Sequence, residues 1–419
     1  MADRCLQSSG GRPPSGFQPR MAVFGEVVRD GVRVDDVVVT VFRGPKSFTG
    51  EDTVEVACHG GVLVTRRVLE TLLVSGARPA EPGEFTQRAF LNGRMDLTQA
   101  EAVMDVIRAR GDRALAAAQE QLRGGLGRRL QVPIDGLLDA LARIEAYIDF
   151  PDEDLPEDIL KNIKKISNEV ILEIKKILDD QNVGERIREG FKIAIIGPTN
   201  AGKSSLLNHL SNRDAAIVSE IAGTTRDVIE THLNIDGYPV VVSDTAGIRD
   251  SKNEIEKKGI KLALDKAENA DLKLIVIDAK NIDFKGVLKE LMDENAILVI
   301  NKSDLLKEDL NSEIKNYEHV LISVKNNLNL EDLILKIKNK LKNKFITSED
   351  ILITRERHRQ HLEQSLNYLK NFEQKNEAED FDKAAEDLRL ATRHLGMIVG
   401  KVDVEEILGS IFNDFCIGK

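Results

Sequence analysis

The pattern of apolar and polar positions changes character several times along the chain, and each change predicts an element. Two strand-like runs, 23–28 and 37–42, are separated by Asp30-Gly31, a two-residue hairpin signal. Residues 53–58 alternate as a further strand and 62–73 carry helical spacing, so a small α+β domain is predicted over 21–96. Residues 1–20 are rich in Ser, Gly and Pro and read as a disordered lead-in. Leu97 to Ile148 reads as one long helical stretch, capped by Asp96, with Leu137, Leu141, Ile144 and Ile148 three and four apart. Pro151 and Pro156 end it. A second helix is predicted over 159–180, with Ile163, Ile166, Val170, Ile174 and Leu178 as its apolar stripe.

From Phe191 to about 345, strand runs at 193–196, 240–243, 274–277, 297–300 and 320–322 alternate with helical segments. This predicts a doubly wound, mainly parallel sheet with ligand at the carboxyl ends of its strands. Beyond Ile353 the chain is helical again, with stripes at Leu362/Leu366/Leu369/Phe372, Ala384/Leu388/Ala391/Leu395 and Ile407/Leu408/Ile411/Phe412. The simplest arrangement makes 97–189 and 347–419 two parts of one helical domain, with the α/β module of 190–346 inserted between them. The fold class is multidomain α/β and α.

Composition narrows this further. A chain of 419 residues is too long for one core. A net charge of −11 disfavours sequence-independent coating of nucleic acid, while a local basic patch for one structured RNA stays open. No run is long enough for a transmembrane helix and the start lacks a signal-peptide core, so no membrane association is expected. Cys5, Cys58 and Cys416 suggest a reducing cytoplasm and fit neither a disulfide framework nor a zinc site. Lys46 is the only lysine before Lys161, whereas arginine dominates before that point and lysine after it. Folding does not require the switch, which predicts a junction between two sources near 150–160.

The candidate chemistry starts at Gly197-Pro198-Thr199-Asn200-Ala201-Gly202-Lys203-Ser204, between the 191–196 run and a helix start at Ser205. Strand, glycine loop and helix are the context of a P-loop, in which backbone N–H groups cradle phosphates. Lys203 would reach the β/γ-phosphates and Ser204 would ligate Mg²⁺. Asp244-Thr245-Ala246-Gly247 ends a strand: Asp244 would hold Mg²⁺ through water, and the Gly247 N–H would sense the γ-phosphate. Asn301-Lys302-Ser303-Asp304 ends another, where the Asp304 carboxylate would accept guanine N1–H and N2–H₂ and so select GTP over ATP. Ser323-Val324-Lys325 is a looser base-loop match, and Thr225 in 223–227 would complete the Mg²⁺ shell. Phosphoryl transfer needs further positive charge at the β–γ bridge. Asn200 and the loop Ser219-Glu220-Ile221-Ala222-Gly223-Thr224 suggest a monovalent-cation site; the plainer alternative for Asn200 is a loop-stabilising amide.

The runs 200–208, 221–227, Asp244–Gly247 and Phe415-Cys416-Ile417-Gly418-Lys419 resemble the tRNA modification GTPase MnmE (TrmE) family. So do Gly50-Glu51-Asp52, His59-Gly60-Gly61 and Pro82 through Gly93. The resemblance runs from about residue 20 to the end, and residues 1–20 do not match the family's opening, so the folate-binding domain reads as incomplete. It implies a K⁺-dependent GTPase whose nucleotide domains pair in a homodimer, with Asn200, Ser219, Ile221 and Thr224 as K⁺ ligands. It implies that Glu256 orients the attacking water and that Cys416 takes part in the modification. It implies a reduced folate (5-formyl- or methylene-tetrahydrofolate) near Glu55, Arg94 and Lys419. It further implies action with an FAD-containing MnmG (GidA)-type partner on C5 of the wobble uridine, U34, of tRNA (5-carboxymethylaminomethyl type). Two other readings are an Era-like ribosome-assembly switch and a mosaic that hydrolyses GTP without folate chemistry.

Overall fold

A computed structural model describes residues 1–149, 159–180, 182–213, 230–244, 266–282, 284–306, 310, 312–343, 352–375, 381–402, 405–413, 415 and 418. The chain begins with β1 (Leu6–Ser8), β2 (Ala22–Arg29), β3 (Val32–Phe42), β4 (Thr53–Ala57), α1 (Val62–Val74) and α2 (Glu84–Leu91). Helices α3 (Leu97–Arg108), α4 (Asp112–Leu122), α5 (Gly125–Asp149), α6 (Ile159–Leu178) and α7 (Val183–Glu189) follow. Next come β5 (Phe191–Ile196), α8 (Lys203–Arg213), β6 (Glu230–Ile235), β7 (Tyr238–Asp244) and β8 (Leu272–Asp278). After these lie α9 (Val287–Glu290), β9 (Ala296–Asn301), α10 (Ser312–Lys315), β10 (His319–Leu321) and α11 (Leu330–Asn343). The last described elements are α12 (Glu356–Gln374), α13 (Phe381–Val399) and α14 (Glu405–Phe412). The chain divides into two compact units.

The first unit comprises Met1–Met104, Leu122–Ile134 and Thr392–Lys419. Its sheet is antiparallel in the order β1-β2-β3-β4. Val37, Val39 and Val41 alternate inward on β3 and pack with Val27, Leu6, Phe17 and Val68 of α1. Asp30 (φ 51°) and Gly31 (φ 76°) both adopt positive φ, as a tight hairpin between right-twisted strands requires. The reading of residues 1–20 as disordered is corrected here. Leu6–Ser8 adds β1 to the edge of β2, and Cys5, Leu6 and Phe17 are buried. Buried residues at both ends of the segment outweigh the Ser/Gly/Pro composition, because one strand pairing plus burial offsets the ordering entropy.

Asp96 caps α3. Its Oδ1 accepts from the Gln99 N–H (2.9 Å) and the Thr98 hydroxyl (2.6 Å), while Gln99 Oε1 accepts from the Asp96 N–H (3.0 Å). This reciprocal pair is a capping box. The single long helix expected from Leu97 onward is instead three. Gly124 at φ 84° separates α4 from α5. Gly111 separates α3 from α4, and a Cβ there would stand 2.8 Å from the Gly237 carbonyl oxygen.

The second unit comprises Asp105–Gln121 and Asp135–Ala391. Its six-stranded sheet has the order β10-β9-β8-β5-β7-β6, parallel except for the β6–β7 hairpin. All six residues of β9 and six of the seven in β8 are buried, as a parallel sheet covered on both faces demands. The hairpin turns at Asp236 (φ 55°) and Gly237 (φ 85°), and β6 was not among the expected strands. α6 packs against α12, and Arg359 of α12 bonds Asp180 (2.6 Å) and Glu185 (2.8 Å). The buried stripe of α6 runs through Ile163, Ser167, Val170, Ile171, Ile174 and Ile177, so Ile166 and Leu178 lie at its margin rather than in it.

Candidate functional site

The Gly197–Ser204 loop leaves the carboxyl end of β5, the central parallel strand, and enters α8. Its shape needs small residues at two points. A Cβ on Gly197 would collide with the Val276 carbonyl oxygen, and one on Gly202 with the Asn301 amide. Gly202 (φ 92°) and Asn200 (φ 63°) sit in the left-handed region, which costs glycine nothing and asparagine little. The Lys203 ammonium folds back over the loop and donates to the Gly197 and Pro198 carbonyls, both at 2.8 Å. Ala201 and Lys203 are buried, whereas Asn200 is exposed on the loop and Ser204 and Ser205 are exposed on the first turn of α8. A loop without room for side chains, leading into a helix N-terminus, suits phosphate oxygens.

The Asn301–Asp304 loop is joined to it directly. Asn301 is buried at the end of β9; its amide nitrogen donates to the Ala201 carbonyl (2.9 Å). Its Oδ1 accepts from the N–H groups of Lys302 (2.8 Å) and Val324 (3.2 Å). One side chain thus ties the phosphate loop, its own loop and the Ser323–Lys325 loop. Lys302, at φ 62°, bonds the Asn200 carbonyl (2.8 Å) and the Asp278 carboxylate (2.6 Å). Burial pushes the Asp278 carboxyl up, but the Lys302 ammonium and the Lys280 N–H outweigh it and hold the group below its ordinary value. Ser323 is fully buried, and its hydroxyl accepts from the Asn326 N–H (3.3 Å). Asp304 and Lys325 are exposed, so both can meet a base. Sequence reasoning missed Asp278; the available signal was an acidic residue at the carboxyl end of a sheet strand facing the loop lysine.

The structure places the Asp244 backbone at the end of β7, parallel to β5 and paired with Ile195. Ser219, Glu220, Ile221, Ala222, Gly223, Thr224, Thr225, Thr245, Ala246, Gly247, Glu256, Cys416 and Lys419 lie outside the described residues. In the first unit, Glu55 is exposed on β4 opposite Thr40, and Arg94 is exposed after α2. His59 at the end of β4 bonds Asp35 through its ring Nδ1 (2.8 Å) and its N–H (3.0 Å).

A parallel nucleotide sheet, a phosphate loop at its centre and an Asn-Lys-x-Asp loop bonded to it define a P-loop GTPase. The particular family follows from the comparisons. The family model described as "MnmE helical domain" matches residues 97–416, and that described as "GTP-binding protein TrmE N-terminus" matches residues 2–94. A tRNA modification GTPase MnmE from Pelagibacter ubique is 77% identical over 387 residues, covering 92% of this chain and 87% of the relative. One from Rickettsia bellii is 45% identical over 412 residues (97% and 92%). The chain belongs to the MnmE family. The N-terminal match starting at residue 2 also corrects the reading that residues 1–20 fall outside the family's domain. With 387 of 419 residues aligned to one relative, both sides of the composition switch near 150–160 lie in the same alignment. Among solved structures, the G domain of the T. maritima FeoB iron transporter shares 25% identity (37% of this chain, 98% of that chain, TM-score 0.29). A GTP-binding protein from Sulfolobus solfataricus in complex with GDP shares 19% (50% and 67%, TM-score 0.29).

Proposed function

We propose that this chain hydrolyses GTP in the cytoplasm with Mg²⁺ and K⁺, and that hydrolysis drives modification at C5 of the wobble uridine U34 of tRNA. The observation that carries the nucleotide part is Asn301, whose single amide couples the phosphate loop to the two loops that would hold the base. Ala201 through Ser205 would hold the phosphates, with Lys203 leaving its two carbonyl partners for phosphate oxygens. Asp304 would accept two guanine hydrogen bonds, and Asn301, Lys302, Ser323, Val324 and Lys325 would frame the base. Ser204, Thr225 and, through water, Asp244 are the Mg²⁺ donors of this reading. Asn200, Ser219, Ile221 and Thr224 are the K⁺ donors, and the exposed Asn200 side chain beside the phosphate loop supports that place. When bound, K⁺ supplies the charge at the β–γ bridge that an arginine finger supplies elsewhere. Glu256 would orient the attacking water.

For the modification we propose a reduced folate near Glu55, Arg94 and Lys419, a role for Cys416, an FAD-containing MnmG-type partner and a homodimer. The relatives named tRNA modification GTPase support the RNA substrate. The helical residues 97–189 and 347–419 would form the domain that relays the nucleotide state, a reading supported by the α6–α12 packing. The test is steady-state GTP hydrolysis in K⁺ against Na⁺, with and without 5-formyl-tetrahydrofolate. Faster turnover in K⁺ is expected. Equal rates in the two salts would remove the cation mechanism, and no turnover in either would remove the hydrolase reading.

A further inference from the structure

We propose that Asp278 is a positioning residue for the guanine nucleotide: it holds the Lys302 ammonium on the Asn200 carbonyl and so ties recognition of the base to the grip on the phosphates. The inference rests on the reading above that 301–304 is the guanine loop. Asp278 ends β8 and stands in register with Asn301, the last residue of β9. The Ala279 N–H donates to the Asn301 carbonyl (2.8 Å), so the two strand ends are still paired where their loops begin. Both carboxylate oxygens of Asp278 are engaged. Oδ1 accepts from the Lys280 N–H (2.8 Å) and Oδ2 from the Lys302 ammonium (2.6 Å). The first bond fixes the direction of the carboxylate, and the second turns that direction on Lys302.

Lys302 needs such a partner. Its backbone is left-handed (φ 62°), a conformation that a side chain with a Cβ disfavours and that persists where the surroundings hold it. Its stem has many rotamers, and its ammonium is strongly hydrated when free, so keeping one conformer costs entropy and water contacts. The Asn200 carbonyl (2.8 Å) is a neutral acceptor. A charge-assisted bond to a fixed carboxylate is roughly twice as strong, so Asp278 decides where the ammonium rests. The pair is only partly open to solvent, with Lys302 35% and Asp278 21% exposed. Two consecutive residues of the base loop thus bond two consecutive carbonyls of the phosphate loop: Asn301 bonds Ala201, and Lys302 bonds Asn200. The first tie is buried and carries no charge. The second is half-buried and depends on Asp278. Held there, the apolar stem of Lys302 would serve as a wall for the base plane beside Asp304.

Asp278→Asn keeps the size of the side chain and an acceptor for the Lys280 N–H, and removes the charge that fixes Lys302. GDP affinity by calorimetry, GDP dissociation by stopped flow and GTP turnover are measured on the full chain for wild type, D278N, K302Q and the double variant. D278N is expected to weaken GDP binding about tenfold, through faster dissociation, and to raise KM for GTP more than it lowers kcat. K302Q is expected to lose at least as much. In the K302Q background D278N is expected to cost nothing further, because a positioning residue acts only through its partner. Asp278→Ser, too short to reach Lys302 but still able to accept from the Lys280 N–H, replaces D278N if that variant melts early. GDP binding by D278N equal to wild type, with K302Q weakened, overturns the proposal. An additive loss in the double variant, or a loss confined to kcat, overturns it as well. K302Q that binds GDP as wild type does overturns the reading of 301–304 as the guanine loop, and the proposal with it.

Discussion

The two sheets of this molecule solve the same problem in opposite ways. The six-stranded sheet buries both faces, so β8 and β9 are apolar almost throughout and can carry no chemistry along their length. Its candidate site residues are displaced to the strand ends, where Gly197, Asp244, Asp278 and Asn301 stand at the carboxyl ends of four parallel strands. The four-stranded sheet buries one face, so β3 alternates and the other face stays available, with Glu55 and Val38 exposed on it. The lesson is that a doubly covered sheet concentrates function in contiguous loops, whereas a half-covered one spreads it over side chains distant in sequence.

The sharpest test of the first half is Lys203→Ala. The lysine is buried against its own loop, where its ammonium donates to the Gly197 and Pro198 carbonyls. If Lys203 leaves those carbonyls for the phosphates as proposed, removing it should cut kcat on the order of 10³-fold. Pre-steady-state GTP hydrolysis measures it, and a loss below tenfold would break the case for chemistry at the strand end. Next in size are paired core deletions. Leu298→Ala, fully buried between two covered faces, should cost about 3 kcal/mol. Val39→Ala, equally buried on the half-covered sheet, should cost about 2 kcal/mol because fewer methyl groups are lost. Hydrogen exchange reads each sheet separately, which is needed because a chain of two units does not unfold as one transition. A loss below about 1 kcal/mol at Leu298 would contradict burial on both faces of the six-stranded sheet.

The same contrast explains what was legible beforehand. The phosphate and base loops are local in sequence because each is one strand-end turn, so 197–204 and 301–304 announced themselves together with the sheet that carries them. Asp278 escaped because its role is defined by Lys302, reached across the sheet at 2.6 Å. The β6 edge strand escaped although Asp236-Gly237 repeats the turn signal of Asp30-Gly31, because Leu233 and Ile235 are the only apolar residues of Glu230–Ile235. Helix breaks at Gly111 and Gly124 were hidden by helical spacing on either side, since a break for close backbone approach leaves the apolar period intact. Residues 1–20 were misread because composition averages over the buried residues that fix them.

Base choice is smaller than phosphate chemistry and sharpens the same point. Asp304→Asn exchanges an acceptor for a donor at an exposed loop position. Discrimination between GTP and XTP should move by about 1–3 kcal/mol toward xanthosine, because the wild-type pairing leaves a group unsatisfied with the wrong base. Competition between labelled GDP and XDP measures it, and an unchanged ratio would mean that the base does not rest on this loop.

The smallest effect belongs to the half-covered unit and probes how exposed networks stabilise it. Glu84 opens α2 and accepts from Arg78 (2.6 Å), the Glu81 N–H (2.9 Å) and Arg88 (2.7 Å), while Arg88 also reaches Glu51 (3.0 Å). Arg78, then the Glu81 N–H and Arg88, hold the Glu84 carboxyl down to about 2 against an ordinary 4.5. A folded-state value below the unfolded one adds stability above about 4.5 and loses it as pH falls toward 2. The Glu84 side chain is 13% exposed but its partners are 62% and 44% exposed, so solvent screening reduces the gain to about 1 kcal/mol. Glu84→Gln should therefore destabilise the first unit slightly at pH 7 and flatten its stability between pH 4.5 and 2, relative to wild type. Hydrogen exchange of the β2–β3 amides against pH measures the slope. A wild-type slope unchanged by the substitution would place the acid sensitivity elsewhere in the unit, with Asp35 beneath His59 as the next group to vary, since its carboxyl is also lowered, His59 outweighing the effect of burial.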